Sequence, residues 1–279
     1  MGRPKTIIDA NHAESGYWRD LWEYRGLFSF LAWRDLLVRY KQTVIGVAWA
    51  VIRPLLTIVV FSFFRAFLSE DVNVNAAIIS VTVATIPWQL FSSSLSESSS
   101  SLIANSNLIT KVYFPRIIIP VSTIMVCLAD FAISLVILAS LMIYFGQVPG
   151  IEVFFLPLFV LLTLFASLGL GLFLAALNVK YRDFRYVVPF VVQLGLFVSP
   201  IAINSNEIYG SATIPDFVKG LYSLNPMVAV IDGFRFCLLG TQWIVNPTGL
   251  MISLSSSVVL LIIGVWYFRK TERGFADII

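Results

Sequence analysis

Ionisable side chains are scarce in this sequence. Asp, Glu, Lys and Arg make up 13% of its 279 residues, about half the roughly 25% found in soluble domains. There is one histidine, His12, in a polar N-terminal stretch. There are two cysteines, Cys127 and Cys237, in apolar surroundings far apart in the chain. Two such thiols supply neither a metal-ligand spacing nor a disulfide framework. No GxxxxGK[ST] run is present, so the chain has no phosphate-cradling loop of its own. HExxH, CxxC and GxSxG are absent too. A Ser–His–Asp site would have only His12 to use. Together these absences argue against zinc-peptidase, dithiol-redox and soluble-type hydrolase chemistry. No metal or cofactor is expected in this chain. The first 40 residues read as too polar for a cleaved signal peptide, which needs an early apolar core. The formal net charge of +3 is small and follows loops. A nucleic-acid binder would gather it on one soluble face, so no nucleic-acid partner is expected.

What fills the sequence is apolar. Hydrophobic residues make up 58% of it, with a mean hydropathy of +0.86. A soluble core could not hide that much apolar surface, so lipid must cover it. The expected fold is an all-α membrane protein of six transmembrane helices. They fall at about 43–68, 76–96, 117–145, 154–178, 186–204 and 248–268. Each supplies the roughly 20 residues needed to cross about 30 Å of hydrocarbon. Backbone groups in lipid must bond within their own segment, which favours helices. Of the 19 Lys and Arg, 15 lie before residue 43, at Lys111 and Arg116, at Lys180–Arg185, or from Arg269 on. The alternate connections carry acids instead: Glu70 and Asp71, then Glu152, then three acids against two bases in 205–247. The basic residues therefore predict both ends in the cytoplasm, N-in and C-in. Residues 1–42 form a cytoplasmic tail and interface helix, and 43–279 form the membrane domain. Within that domain, 97–116 is a cytoplasmic loop and 205–247 an external segment.

Two stretches read as amphipathic rather than spanning. Residues 26–42 mix Leu27, Phe30, Leu31 and Leu37 with Arg34, Asp35, Arg39 and Lys41. Such a helix would lie in the cytoplasmic interface, with Trp33 and Tyr40 at headgroup depth. In 205–247, Pro215, Pro226 and Pro247 punctuate two short apolar runs. These are candidate re-entrant or interfacial helices beginning at prolines. Ser92–Ser101 is a serine run at the inner end of span two, suited to a polar helix end entering a loop or to wetting a pore. Small residues recur every fourth position at Ser167, Gly171 and Ala175, and at Gly46 and Ala50, and permit close helix packing within a bundle or between subunits.

A charge in a span is costly unless it faces protein or water. Arg53, beside Pro54, and Asp130 therefore become candidates for a wet pathway or for anionic headgroups, with a buried pair or snorkelling as the structural alternative. Arg65, near the outer end of span one, reads as snorkelling. Trp49, Phe61, Trp88 and Phe91 fall on two early spans. Aromatic faces can stack on sugar rings without a fixed register, as a sliding polymer requires, although many of the 23 Phe residues will simply face lipid.

Four blocks of this sequence resemble polysaccharide ABC-export permeases. They are Tyr40–Phe61 (YKQTVIGVAWAVIRPLLTIVVF), Asn105–Pro120 (NSNLITKVYFPRIIIP), Ala176–Ile201 and Leu224–Gly240. The resemblance spans most of the chain in the expected order. It implies a half-transporter: a homodimer of this permease, paired with two copies of a separate ATP-binding subunit that carries the ATP and Mg. It implies a lipid-linked polysaccharide as cargo, moved across the bacterial inner membrane. It also implies that the N-terminal helix, with Arg34 and Arg39, contacts the ATPase. The 98–112 region would hold a coupling helix, bringing Asn107, Lys111, Tyr113, Phe114 and Arg116 to the docking surface, with Pro115 ending that helix. Tyr181, Arg182 and Asp183 match the second internal loop. Residues 205–247 would be paired external gate helices. Arg53, Trp49, Phe61, Trp88, Phe91 and Asp130 would belong to the substrate pathway. An exporter of a small lipid or drug is the alternative within the family. A secondary transporter would need matched broken spans, and a membrane transferase paired carboxylates at one face. Neither pattern is found.

Overall fold

The computed structural model describes residues 17–41, 52, 55–60, 63, 74–201, 204–240 and 247–275. All secondary structure among them is helical. Two helices open the chain, α1 (Tyr17–Glu23) and α2 (Arg25–Lys41). The expected first span lies largely outside the described residues, although 55–60 are helical. Trp49, Arg53, Phe61, Arg65, Gly46, Ala50 and the Glu70–Asp71 turn also lie outside them, as does His12. Next come α3 (Val74–Ala104), the short α4 (Ser106–Lys111), α5 (Ile118–Tyr144), α6 (Leu156–Lys180) and α7 (Phe184–Val198). Three short helices follow: α8 (Ser205–Gly210), α9 (Asp216–Ser223) and α10 (Pro226–Leu239). The chain closes with α11 (Pro247–Thr271) and one 3-10 turn, Glu272–Gly274.

Four helical stretches are long and apolar enough to cross a bilayer: Ala76–Ala104, Ile118–Tyr144, Ile151–Lys180 and Pro247–Gly274. They correspond to the second, third, fourth and sixth expected spans. In place of the fifth stands α7, which is apolar but only 15 residues long. At 1.5 Å per residue it measures about 22 Å. It still joins the two ends of the bundle. It begins four residues after Lys180, and Val179 belongs to the same apolar cluster as Phe114, Phe268 and Phe275. The chain beyond it reaches Ile201, whose carbonyl accepts from Arg235 of α10 at the opposite end.

The expected loop at 97–116 is mostly helix. α3 continues through the serine run to Ala104, with Ser92, Ser93, Ser99, Ser100 and Ser101 each bonding a carbonyl of its own backbone. Ser93 donates to the Gln89 carbonyl at 2.6 Å, and Ser101 to the Ser98 carbonyl at 2.7 Å. Their small size also lets α6 approach. A side chain at Gly171 would meet Ser98 Oγ at 2.8 Å, and the Asn178 amide donates to the Ser99 carbonyl across the same seam at 3.1 Å. Ser167 and Ala175, the other members of that fourfold spacing, are fully buried. The opposite side of α6 meets α11 through glycines. A Cβ on Gly264 would lie 1.9 Å from the Gly169 carbonyl oxygen, so the two backbones touch directly.

The core has two parts. The larger runs through the middle of α3, α5, α6 and α10, and includes Trp88, Phe91, Phe131, Phe159 and Phe234. The smaller closes one end, where Leu31 of α2, Ile109 of α4, Phe114, Ile117, Phe268 and Phe275 meet. The start of α1, the helix α4 and the end of α11 thus lie at one end of the bundle, and α8–α10 at the other.

The expected short helices in 205–247 are α9 and α10. Pro226 occupies the first turn of α10, and Asn225 caps it by accepting from Met227 N at 3.0 Å. The helix α8 was not anticipated. Polar bonds hold this region together. Tyr209 and Ser223 hydroxyls pair at 2.7 Å. Ser253 of α11 donates to the Asn225 carbonyl at 2.7 Å and accepts from Ala229 N at 3.1 Å. A buried pair, Asp232 and Arg235, sits one turn apart on α10 with 3.6 Å between Oδ1 and Nη1.

Candidate coupling site and translocation elements

The end of the bundle closed by the smaller core carries the expected coupling residues. α3 stops at Ala104, and the chain turns through Asn105 into α4, a helix of six residues. On α4 and just after it, Asn107, Lys111 and Tyr113 are exposed. Phe114 is 4% exposed and packs into the apolar cluster with Leu31 and Phe268. The residues expected at a docking surface therefore divide: three face outward, and one anchors them. Pro115 does not end the helix. α4 already stops at Lys111, and the Pro115 carbonyl instead accepts from Ile118 N at 3.1 Å as α5 starts. Proline disfavours helical backbone at the residue before it, Phe114, which separates the two helices.

Neighbouring helices fasten both flanks of α4. On the α3 side, Arg34 Nη2 of α2 donates to Asn105 Oδ1 at 2.8 Å, while its Nη2 and Nε also hold Asp35. On the α5 side, Arg116 N donates to Glu272 Oε1 at 2.5 Å, and the Arg116 guanidinium donates to the Glu272 carbonyl oxygen. Tyr17 OH donates to the other carboxylate oxygen of Glu272 at 2.9 Å. The Arg269 guanidinium lies 4.4 Å from the centre of the Tyr17 ring. Burial, reinforced by the Glu272 charge, pushes the Tyr17 phenol well above the ordinary tyrosine value, so it remains a hydrogen-bond donor at neutral pH.

Arg39 and Asp130, expected at different sites, come together. Arg39 Nη2 lies 3.4 Å from Asp130 Oδ2 and 3.5 Å from Glu97 Oε1. Tyr40 OH donates to Asp130 Oδ1. With Arg34 at Asn105 and Tyr40 at Asp130, α2 climbs alongside α5 rather than lying flat across the end of the bundle. Sequence reasoning missed Glu97, Glu272 and Tyr17. Glu97 did carry a signal, as the single acid in SSSLSESSSS.

Of the expected pathway aromatics, Trp88 and Phe91 lie within the described residues. Their ring centres are 5.4 Å apart, and they are 4% and 6% exposed. Gly195 of α7 seats against Trp88: a Cβ there would meet Trp88 Cη2 at 2.7 Å. The outward face of α7 carries Tyr186, Phe190, Leu194 and Phe197, all exposed. Tyr181, Arg182 and Asp183 are exposed just before it. Among the described residues, no group of three or more His, Cys, Asp or Glu side chains could hold a metal ion.

A bundle of long apolar helices, with charge confined largely to its ends and one polar notch, defines a multi-pass membrane protein. The chain belongs to the ABC-2 type transporter family, whose pattern matches residues 26–239. Over 261 residues it is 30% identical to the O-antigen export system permease protein RfbA of Myxococcus xanthus, covering 93% of this chain and 97% of that one. It is 28% identical over 247 residues to the protein of the same name from Klebsiella pneumoniae, covering 88% and 92%. It is also 22% identical over 273 residues to the capsule polysaccharide export inner-membrane protein CtrC of Neisseria meningitidis serogroup B, covering 94% and 97%.

Proposed function

We propose that this chain is the inner-membrane permease of an ATP-driven exporter of lipid-linked, O-antigen-like polysaccharide. The observation that carries the reading is the near full-length likeness to permeases named for O-antigen and capsule export. Two copies form the translocation unit, and two copies of a separate ATP-binding subunit hold the ATP and Mg. The chain crosses the membrane six times with both ends in the cytoplasm. Five crossings are α3, α5, α6, α7 and α11, and the sixth uses residues 43–68.

On this reading the end of the bundle bearing α4 is cytoplasmic. Asn107, Lys111 and Tyr113 touch the ATPase directly, Phe114 and Arg116 hold them in place, and Arg34 and Arg39 fix α2 beside them. ATP-driven closure of the two ATPase subunits moves α4, and α3 and α5 carry that motion into the membrane. Stretches of 29 and 27 residues exceed the roughly 20 that a crossing requires. Their surplus lies at the cytoplasmic end, which brings Glu97 and Asp130 towards the headgroup region and lowers the cost of their charge. Residues 205–247 form the external gate. Polymer passes along an aromatic path that includes Trp49, Arg53 and Phe61. Trp88 and Phe91 join that path when α7 swings away from α3 and uncovers them.

Two measurements test the reading. A tagged permease, co-expressed with its partner ATP-binding subunit, should co-purify with that subunit. A deletion strain should accumulate lipid-linked polymer inside the cell. Export that continues without the ATPase, or a deletion that retains normal surface polymer and loses a small lipid or drug efflux instead, overturns it.

A further inference from the structure

The 3-10 turn that follows α11 places one carboxylate where three segments meet. The first four N–H groups of a helix have no partner within it. α5 has no side-chain cap of its own at Ile117. Glu272 supplies a carboxylate from outside by accepting from Arg116 N, one residue before that cap position. A negative charge there also complements the positive end of the α5 dipole. The same carboxylate accepts from Tyr17 of α1, and Arg269 one turn earlier stacks on the Tyr17 ring. Phe268 and Phe275 flank the turn, are 0% and 2% exposed, and pack with Phe114. The start of α5, the start of α1 and the end of α11 are therefore tied at a single side chain, which meets the chain at Arg116, five residues beyond Lys111 where α4 ends.

We infer that Glu272 is a positioning residue for coupling: it fixes the segment after α4 to α11, so that movement of α4 is delivered to the carboxyl-terminal helix as well as to α3 and α5. This rests on the reading of α4 as the ATPase-docking helix. Without the tie, the Tyr113–Ile117 segment could yield locally under load, and part of the stroke would be lost between α4 and the membrane.

The test uses the whole transporter, permease with its ATPase, and measures polymer exported per ATP hydrolysed. Glu272→Ala should still bind the ATPase and hydrolyse ATP. Export per ATP should fall about five-fold, in the range of coupling changes seen for residues along a connecting network. Glu272→Gln should restore most of it, because its amide oxygen can still accept from Arg116 N–H. Wild-type export per ATP in Glu272→Ala overturns the inference, as does loss of ATPase binding equal in the Ala and Gln variants. Should Glu272→Ala fail to assemble, Glu272→Asp decides. It keeps the charge but shortens the reach to Arg116 N, and an unchanged yield per ATP overturns the inference. A wild-type permease that binds no ATPase sinks the docking reading itself, before any variant is compared.

Discussion

Arg39 of α2 and Asp130 of α5, 91 positions apart in the chain, stand with 3.4 Å between Nη2 and Oδ2. Tyr40 shares the same carboxylate, and Glu97 shares the same guanidinium. The side chains of Arg39 and Asp130 are 28% and 24% exposed, and that of Glu97 is 47% exposed. Partial exposure discounts the cost of breaking the cluster, since water screens whatever charge is left. Asp130→Ala should cost about 2 kcal/mol, because it removes the acceptor of Tyr40 and one of the two carboxylates beside Arg39. Asp130→Asn should cost less by keeping an acceptor for Tyr40, and Glu97→Gln should fall within about 0.5 kcal/mol of wild type. Thermal unfolding of the three purified variants in detergent ranks them. A Glu97 variant as unstable as Asp130→Ala would refute this ordering.

Tyr113 and Phe114 are adjacent but face opposite ways, 57% and 4% exposed. Tyr113→Ala and Lys111→Glu should leave the fold intact and weaken retention of the ATPase subunit. Phe114→Ala should destabilise the permease by about 3 kcal/mol through the cavity it opens beside Leu31 and Phe268. Pull-down yield scored against melting temperature separates the two behaviours.

Gly264 meets the backbone of Gly169, with no room for a methyl group. Gly264→Val should push α11 from α6 at a cost of at least about 3 kcal/mol. The expected readout is loss of the monodisperse peak in size-exclusion chromatography. A Val variant eluting at wild-type yield would mean that the two helices can separate freely.

Asp232 lies on α10, outside the four long apolar helices, and burial pushes its carboxyl up to about 6 despite the neighbouring Arg235. A folded-state value above the ordinary carboxylate range means that the folded protein takes up a proton before the unfolded chain does. The stability this contributes is complete below the ordinary value near 4 and is lost as pH rises through about 6. The melting temperature should therefore include a term that increases from pH 7.5 to pH 5. Asp232→Asn should abolish that term, and a variant retaining the full pH response would assign it to another group.

Much of the fold was legible because lipid imposes a simple rule. An apolar run of sufficient length must be a helix, and four of the expected spans appear, two within three residues of their expected limits and two running on by eight and six residues at their carboxyl-terminal ends. The prolines at 215 and 226 likewise marked real helix starts. The serine run misled because composition does not reveal whether a hydroxyl will bond to solvent or to its own helix. Of the candidate coupling site, the exposed residues all fall in one local block of sequence. Its fastenings were not legible there, because Glu272 and Tyr17 act over separations of 156 and 255 residues and neither stands in a recognisable motif.

By itself the sequence determined that this is a helical membrane protein, since charge and apolar length are properties of a segment wherever it ends up. Only the tertiary structure decided which charges meet. Arg39 and Asp130 are each costly where they stand alone, and nothing local to either specifies the other. Their partnership exists because α2 packs along α5, and α4 is held on both flanks because α2 and α11 converge on the same end of the bundle.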